Sequence, residues 1–204
     1  MAKLLVLFHS FYGHNFRLAD AIAEGARSTG ALVDVKQVPE HISDEALKAS
    51  GALEAKKAFA HVPVAAVADL ADYDGIAFGT GTRFGNASST MRNFLDQTGK
   101  LWNEGALIGK AATVFGATGT GGGSETTLVS MWFTLAHHGM VIVPLGYRDP
   151  KLRQPDEVHG ASPYGVTTIA RASTPRPSAR ERELAISQGR AWADVANRLA
   201  RSAL

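Results

Sequence analysis

Continuous apolar runs alternate along this chain with stretches in which apolar residues recur at helical spacing. Residues 3–8 are apolar after the first lysine, which is typical of a strand buried on both faces of a parallel sheet. Leu18, Ile22 and Ala26 then recur every four residues, so the next segment is predicted to be a helix with one buried face. Residues 32–38 alternate between apolar and polar side chains and predict a more exposed strand.

The same cycle repeats through the rest of the chain. Strands are predicted at residues 75–78, 111–115 and 140–143, and helices around residues 91–95 and 128–135. Because strands and helices alternate, the pattern predicts an α/β protein with a doubly wound parallel sheet of five strands. Trp132 and Trp192 fall on the apolar faces of predicted helices and are expected in the core.

Three further segments are predicted from the sequence, a last helix and two stretches that do not fit the alternation of strands and helices. Ser178 and Glu181 have the spacing of a capping box, which predicts a last helix from about residue 179 toward 201. Residues 39–66 are rich in Ala, Lys and Glu and are expected to be partly helical, whereas residues 146–177 are expected to form a long loop. We expect a single domain of 204 residues that carries these two insertions.

Composition and charge exclude several classes of protein. The chain is 45% hydrophobic and 20% charged, which is ordinary globular usage and excludes collagen-like or wholly disordered proteins. A net charge of +2 does not indicate nucleic acid or an anionic membrane as the main partner. The absence of cysteine excludes disulfides, thiolate metal sites and cysteine nucleophiles. No apolar run reaches the ~18 residues of a membrane span, and we expect a cytoplasmic protein.

Three glycine-rich loops follow three of the predicted strands, at residues 10–15, 79–86 and 116–123. Ligands of open parallel sheets bind outside the carboxyl ends of the strands, so we expect these loops to meet at one site. The first loop leads into a helix, whose N-terminal amides attract anions, and Ser10 and Asn15 can donate hydrogen bonds to a phosphate. This loop contains no Lys or Arg, so the phosphate is expected to be held by neutral donors. The glycines of the third loop allow close approach to a flat ring.

Each loop taken alone also has a purely structural interpretation. The first is compatible with a capped turn, the second with a strand exit capped by Asn86 or Ser88, and the third with a flexible linker. Ser124 has no evident His and Asp partners in the sequence, so hydrolase chemistry has little support. His137 and His138 are adjacent and point in different directions on a helix, without a Cys or acidic cluster beside them, so no metal site is predicted.

At these loops the sequence resembles a known family, the tryptophan-repressor-binding-protein-like NAD(P)H:quinone oxidoreductases. The resemblance covers nearly the whole chain and rests on segments such as Thr-Arg-Phe-Gly-Asn at 82–86, Thr-Gly-Thr-Gly-Gly-Gly at 118–123 and Pro-Tyr-Gly at 163–165. Its most specific segment is Thr-Leu-Ala-His-His-Gly-Met-Val-Ile-Val-Pro at 134–144. The resemblance implies a flavodoxin-like fold, with five parallel strands in the order 2-1-3-4-5 and helices on both faces.

The resemblance also implies a bound flavin mononucleotide (FMN), with NADH or NADPH as the reductant. Arg83 and His137 would be catalytic residues, and a neighbouring subunit of a homotetramer would supply the histidine. Tyr12 would contact the nicotinamide dinucleotide, and Trp102 would cover the quinone pocket. The residues implied to bind FMN are Ser10, Phe11, Tyr12, Gly13, His14, Asn15, Thr82, Arg83, Phe84, Gly85, Asn86, Ala117, Thr118, Gly119, Thr120, Gly121, Gly122 and His137.

The implied activity is two-electron reduction of quinones to hydroquinones by a ping-pong mechanism, in which a hydride passes from NAD(P)H through FMN. Two alternatives stay open, a flavodoxin-type electron carrier and a regulatory flavoprotein that binds another protein. Such carriers are usually strongly acidic, so the net charge of +2 argues against the first alternative. The three loops contain no Asp or Glu, which favours the uptake of two electrons, because carboxylates would oppose negative charge on the ring.

Overall fold

The computed structural model describes residues 1–170 and 176–202. Residues 171–175 of the predicted loop at 146–177 therefore lie outside the described residues. The strands are β1 (Lys3–Phe8), β2 (Leu32–Gln37), β3 (Gly75–Arg83), β4 (Asn86–Ala87), β5 (Ala111–Thr118), β6 (Val141–Ile142) and β7 (Thr167–Ile169). The helices are α1 (His14–Arg27), α2 (Asp44–Ala49), α3 (Ala52–Lys56), α4 (Ser89–Asp96), α5 (Gly99–Asn103), α6 (Ser124–His137) and α7 (Ala179–Ser202).

The α/β class and the parallel main sheet are confirmed, but the number and order of the strands are corrected. Residues 1–170 and 176–202 contain seven strands, with β2-β1-β3-β5-β6 along the main path, β4 antiparallel on β3, and β7 parallel to β5. The second glycine-rich loop folds back as a hairpin, which adds β4. Two short segments share the fifth position of the sheet, because β6 pairs with the start of β5 and β7 with its end.

The sheet has helices on both faces, as its buried side chains show. Along β1, Leu4 and Val6 pack in a core with α1 and α7, whereas Leu5 and Leu7 pack in a second core with α4 and α6. Trp192 is buried and donates its Nε1–H to the carbonyl oxygen of Ala111 at 3.1 Å, which confirms its place in the core. None of the helices in the described ranges is both long and apolar enough to cross a membrane.

Two strands run further than the apolar pattern predicts. The ladder between β3 and β5 persists to the pair Gly81–Ala117. β3 then continues to Arg83 by pairing with β4, and β5 continues to Thr118 by pairing with β7. A Cβ at position 79 would overlap the Phe115 ring, so a glycine is required there by packing. The first residues of both predicted loops therefore belong to strands, which fixes the backbone from which the rest of each loop leaves the sheet.

The predicted capping box forms at the start of α7. The Glu181 amide donates to Ser178 Oγ at 3.2 Å, and the Ser178 amide donates to the Glu181 carboxylate at 2.8 Å. This buried carboxylate also accepts hydrogen bonds from Thr168 Oγ1 and the Gly160 amide, at 2.7 and 3.0 Å. The expectation of a long loop at 146–177 is therefore corrected, since the stretch contains β7 and a 3-10 turn at Pro150–Arg153. The predicted helical content of residues 39–66 is confirmed by α2 and α3.

A side chain supplies the hydrogen bonds that the sheet lacks at the gap between β6 and β7. Buried Gln188 of α7 donates from Nε2 to Thr113 Oγ1 and to the carbonyl oxygen of Val114, both at 2.8 Å. Its Oε1 accepts a hydrogen bond from the Val166 amide at 2.7 Å. The amide of Gln188 thus takes the place of a peptide group of the interrupted strand, and the centre of β5 stays hydrogen-bonded.

Candidate functional site

A candidate site lies at the carboxyl ends of β1, β3 and β5, where the three glycine-rich loops meet. The cavity there measures about 490 Å³. It lies where the topology of a doubly wound sheet places a ligand. The residues that line it are Ser10, Phe11, Tyr12, His14, Asn15, Gly81, Thr82, Arg83, Ala117, Thr118, Gly119, Thr120 and Ala170.

The start of α1 forms one end of the cavity and suits a phosphate. Gly13 precedes the helix with φ +82° and offers no side-chain cap, so no side chain occupies the first-turn amides. Two buried polar atoms of the cavity, Asn15 Oδ1 and His14 Nδ1, have no hydrogen-bond partner among the described residues. Unpartnered buried polar groups are rare, so this end of the cavity fits a polar ligand. Asn15 Oδ1 can only accept and would need a donor of that ligand, whereas phosphate oxygens need donors such as the first-turn amides of α1. Asn15 Nδ2 donates to the carbonyl oxygen of His9 at 2.8 Å, which fixes the loop's end.

Cations from other parts of the chain surround this loop, which carries none of its own. Lys56 Nζ lies 3.3 Å from the carbonyl oxygen of Ser10, and Arg17 donates to the carbonyl oxygen of Arg176 at 2.9 Å. Burial and the charge of Arg17 lower the pKa of His14. The local charge thus favours an anion, while the expectation that neutral donors hold the phosphate stays a prediction.

A cation stacked on an aromatic ring forms the opposite wall. The Arg83 guanidinium lies 5.0 Å from the centre of the Phe11 ring and donates to the carbonyl oxygen of Thr82 at 2.9 Å. Among the described residues that line the cavity, none is Asp or Glu. Arg83 thus supplies positive potential without an opposing carboxylate in the wall, which suits a flat ring that takes up negative charge.

The third loop closes the cavity with its backbone. Thr118 Oγ1 accepts a hydrogen bond from the Gly121 amide at 2.7 Å, which turns the chain back toward α6. Gly121 and Gly123 have φ values of +90° and +77°, a conformation that L side chains rarely adopt. Residues 117–120 line the cavity, whereas Gly121 and Gly122 lie outside its wall.

Several predicted cofactor residues are not in the wall. Phe84, Gly85 and Asn86 lie at the tip of the β3–β4 hairpin and line an adjacent groove along α6, and the side chain of Phe84 is fully exposed. Gly13 lies at the start of α1, outside the wall, and faces Phe59. The proposed contacts of these residues with the cofactor stay predictions.

His137 and Trp102 do not line this cavity either. α6 begins beside the third loop and has 14 residues, so His137 at its end lies about 20 Å away along the helix axis. Trp102 on α5 is 58% exposed, at the same end of the molecule, where Thr98 Oγ1 lies 2.8 Å from His138 Nε2. Neither side chain reaches the cavity of its own chain, so their predicted roles depend on a neighbouring subunit.

The structure also shows residues that the sequence does not reveal as part of the site. Ala170 lines the cavity from the end of β7, within the stretch predicted to be a loop. A polar cluster of buried His9 and Ser88 with partly buried Glu40 and Lys56 lies directly behind the first loop. The sequence signal for this cluster is His9, a histidine at the end of an apolar strand. Its partners come from distant segments, and no sequence motif connects them to His9.

Comparison with solved structures shows the same fold. The chain is similar to a WrbA-like flavodoxin from Agrobacterium tumefaciens, with 23% identity over 97% of this chain and 99% of that chain and a TM-score of 0.65. It is similar to flavodoxin 2 from Bacillus cereus, with 17% identity over 95% and 99% of the two chains and a TM-score of 0.62. The flavodiiron protein from Giardia intestinalis matches 98% of this chain over 37% of its own length, with 20% identity and a TM-score of 0.61.

The sequence also matches a family directly. The family described as NADPH-dependent FMN reductase matches residues 3–148, which include the strands and loops that form most of the cavity wall. This match confirms the resemblance to a flavodoxin-like, FMN-dependent oxidoreductase family, and it confirms FMN and NAD(P)H as the cofactor and the reductant. From the fold, the phosphate-suited loop and this match, we conclude that the chain belongs to the NADPH-dependent FMN reductase family.

Proposed function

We propose that this protein is an FMN-dependent NAD(P)H:quinone oxidoreductase. In the net reaction NAD(P)H, one proton and a quinone give NAD(P)⁺ and the hydroquinone. Bound FMN supplies the chemistry of hydride acceptance and of electron transfer to the quinone. The observation that carries the proposal is the cavity wall, which presents Arg83 and backbone groups but no carboxylate among its described residues. Such a wall stabilises the negative charge that accompanies two-electron uptake.

Some residues of the cavity would bind the cofactor, and others would orient the cofactor ring and the nicotinamide. Ser10, Asn15 and the first turn of α1 would hold the cofactor phosphate, because they combine donors with a helix N-terminus. Arg83, fixed by its stack on Phe11, would stand beside the ring. The Tyr12 hydroxyl donates to the carbonyl oxygen of Ser50 at 3.2 Å, which holds its half-exposed ring at the mouth, where the nicotinamide would enter.

We propose a homotetramer in which His137 and Trp102 of each chain complete the quinone pocket of a neighbour. The support is two exposed apolar side chains at the end of α6: Phe133, one helical turn before His137, is 68% exposed, and Ile108, which lies against Gly139, is 69% exposed. Isolated exposed apolar residues are common, but several close together are typical of a surface that another protein chain covers.

Steady-state oxidation of NADH and NADPH by the purified protein with benzoquinone tests the activity. We expect turnover with the quinone, and we expect Arg83→Met to lower kcat/KM about 10- to 100-fold, because the cation beside the ring is lost. Arg190→Met is the matched control, since it removes an exposed arginine of α7 far from the cavity, and it should leave kcat/KM unchanged. Oxidation of NAD(P)H with one-electron acceptors but not with quinones would favour the electron-carrier alternative instead.

A further inference from the structure

Behind the first loop lies a cluster of polar side chains that the proposed reaction does not use. Its centre is His9, which directly precedes Ser10 and is only 2% exposed. Glu40 and Lys56 reach it from the first insertion, and Ser88 reaches it from the start of α4. The cluster thus joins three distant parts of the chain at the back of the proposed phosphate site.

Both ring nitrogens of His9 have a partner. Nε2 lies 3.1 Å from Glu40 Oε2, and a carboxylate can only accept, so Nε2 carries the proton. Nδ1 lies 2.9 Å from Ser88 Oγ and accepts its hydrogen. Burial lowers the pKa of His9, which keeps the ring neutral in this arrangement. The ring therefore has one orientation, set from both sides.

Glu40 is an ionised group whose two oxygens are both in use. Oε2 also pairs with Lys56 Nζ at 3.1 Å, while Oε1 accepts from the Ile42 amide and from Thr90 Oγ1, both at 3.1 Å. Burial alone would raise the pKa of Glu40, but the hydrogen bonds from His9 and Ile42 hold it well below its usual range. The negative charge is thus fixed in place and is compensated by Lys56.

The cluster holds the first loop at both of its ends. Lys56 Nζ donates to the carbonyl oxygen of Ser10, at 3.3 Å, where the loop begins. The carbonyl oxygen of His9 accepts from Asn15, where the loop ends. Ser88 is further linked to Thr80, whose Oγ1 accepts from the Ser88 amide at 3.0 Å, so the β3 wall is held in the same network.

We propose that His9, Glu40 and Lys56 are positioning residues that hold the loop of residues 10–15 in the conformation that binds the phosphate of FMN. They act through the loop and lie outside the cavity wall itself. The inference rests on the proposed placement of the cofactor phosphate at this loop. If these residues are replaced, the loop loosens. Binding of the phosphate group then weakens, whereas binding of the flavin ring stays intact.

Riboflavin, which lacks the phosphate, provides the test. The full chain, freed of its flavin, is titrated with FMN and with riboflavin, and the dissociation constant of each is measured from the flavin fluorescence. We expect Lys56→Met and Glu40→Gln each to raise the Kd for FMN at least about tenfold, and to change the Kd for riboflavin less than about twofold. Riboflavin binding also shows that each variant is folded.

The neighbouring exposed ion pair gives matched controls. Lys57 and Glu54 form an exposed pair on the same insertion, so Lys57→Met and Glu54→Gln remove the same charges without touching the cluster. Both should bind FMN like the unaltered protein. Equal weakening of FMN and riboflavin, or unchanged FMN binding in Lys56→Met and Glu40→Gln, would overturn the inference. If the unaltered protein bound the two flavins equally, the phosphate assignment in the proposed function would fail as well.

Discussion

At the scale of single residues, the tip of the β3–β4 hairpin carries the clearest backbone strain. Phe84 and Gly85 connect the paired residues Arg83 and Asn86 with φ values of +50° and +79°. These positive values at both central positions match a type I′ turn, which favours Asn or Gly at the first of them. A phenylalanine there costs stability, and its fully exposed ring regains nothing by burial.

Relief of this strain is testable by substitution. We expect Phe84→Asn to raise the free energy of unfolding by about 1 kcal/mol, measured by urea denaturation, because asparagine tolerates a positive φ. Phe84→Ala is the control: it removes the same ring but keeps a side chain that is strained in this conformation, so its stability should hardly change. An equal gain in both variants would show that the exposed ring, rather than the backbone, is the cause.

Residues of the site could be predicted where the signal is local. Ser10, Asn15 and Arg83 belong to the glycine-rich segments predicted directly after strands, and the structure brings all three to one cavity. Glu40 and Lys56 could not be assigned to the site in this way, because they approach His9 and Ser10 only through the path of the insertion. Hydrophobic periodicity carries no information about such polar contacts between distant segments.

At the scale of elements, α1 and α7 pack closely through a pair of glycines. A Cβ at Gly25 would overlap the carbonyl oxygen of Ile186, and a Cβ at Gly189 would overlap that of Ile22. Each helix thus presents a glycine to the backbone of the other. The two helices form one side of the core, so their separation also sets how α1 lies against the sheet.

We expect Gly189→Ala to lower the free energy of unfolding by about 2–3 kcal/mol, because the added methyl group forces the two backbones apart. Urea denaturation measures the change. Gly99→Ala is the matched control, since no atom lies within 4 Å of the added Cβ, and its stability should be unchanged or slightly higher. A Gly189→Ala protein as stable as the unaltered one would contradict the close approach of α1 and α7.

The elements themselves were predictable wherever their pattern was long. The buried strand β1 and the helices α1, α6 and α7 follow from apolar periodicity over six or more residues. The short strands β4, β6 and β7 have only two or three residues each and depend on the ladder edges that β3 and β5 offer. The strand predicted at 140–143 contains β6, but β4 and β7 were missed, because a pattern of that length does not distinguish strand from loop, and the predicted strand number and order were therefore wrong.

At the scale of the whole molecule, the apolar surface around Phe133 predicts association. We expect the protein to elute as four-subunit particles in size-exclusion chromatography with light scattering. Phe133→Asp should give smaller particles and lower quinone reductase activity, because the charge disrupts the surface and separates His137 from the neighbouring cavity.

The control for this prediction is another exposed apolar residue. Leu32 is 65% exposed at the start of β2, away from α6, and Leu32→Asp should leave the mass and the activity unchanged. A protein that is monomeric at all concentrations and still fully active would show that the site needs no second chain.

The hydrogen bonds of Gln188 at the gap between β6 and β7 have a consequence for which segments of this fold can change in sequence. Because a side chain of α7 satisfies the centre of β5, the two halves of the edge strand are anchored independently of the chain between them. The mostly exposed part of this connection, residues 153–158, can therefore change in length and composition while the hydrogen bonds of the sheet stay the same, whereas Leu145 and Leu152 belong to the core. A new substrate-selecting segment could be introduced at these residues while the cavity at the carboxyl ends of β1, β3 and β5 stays unaltered.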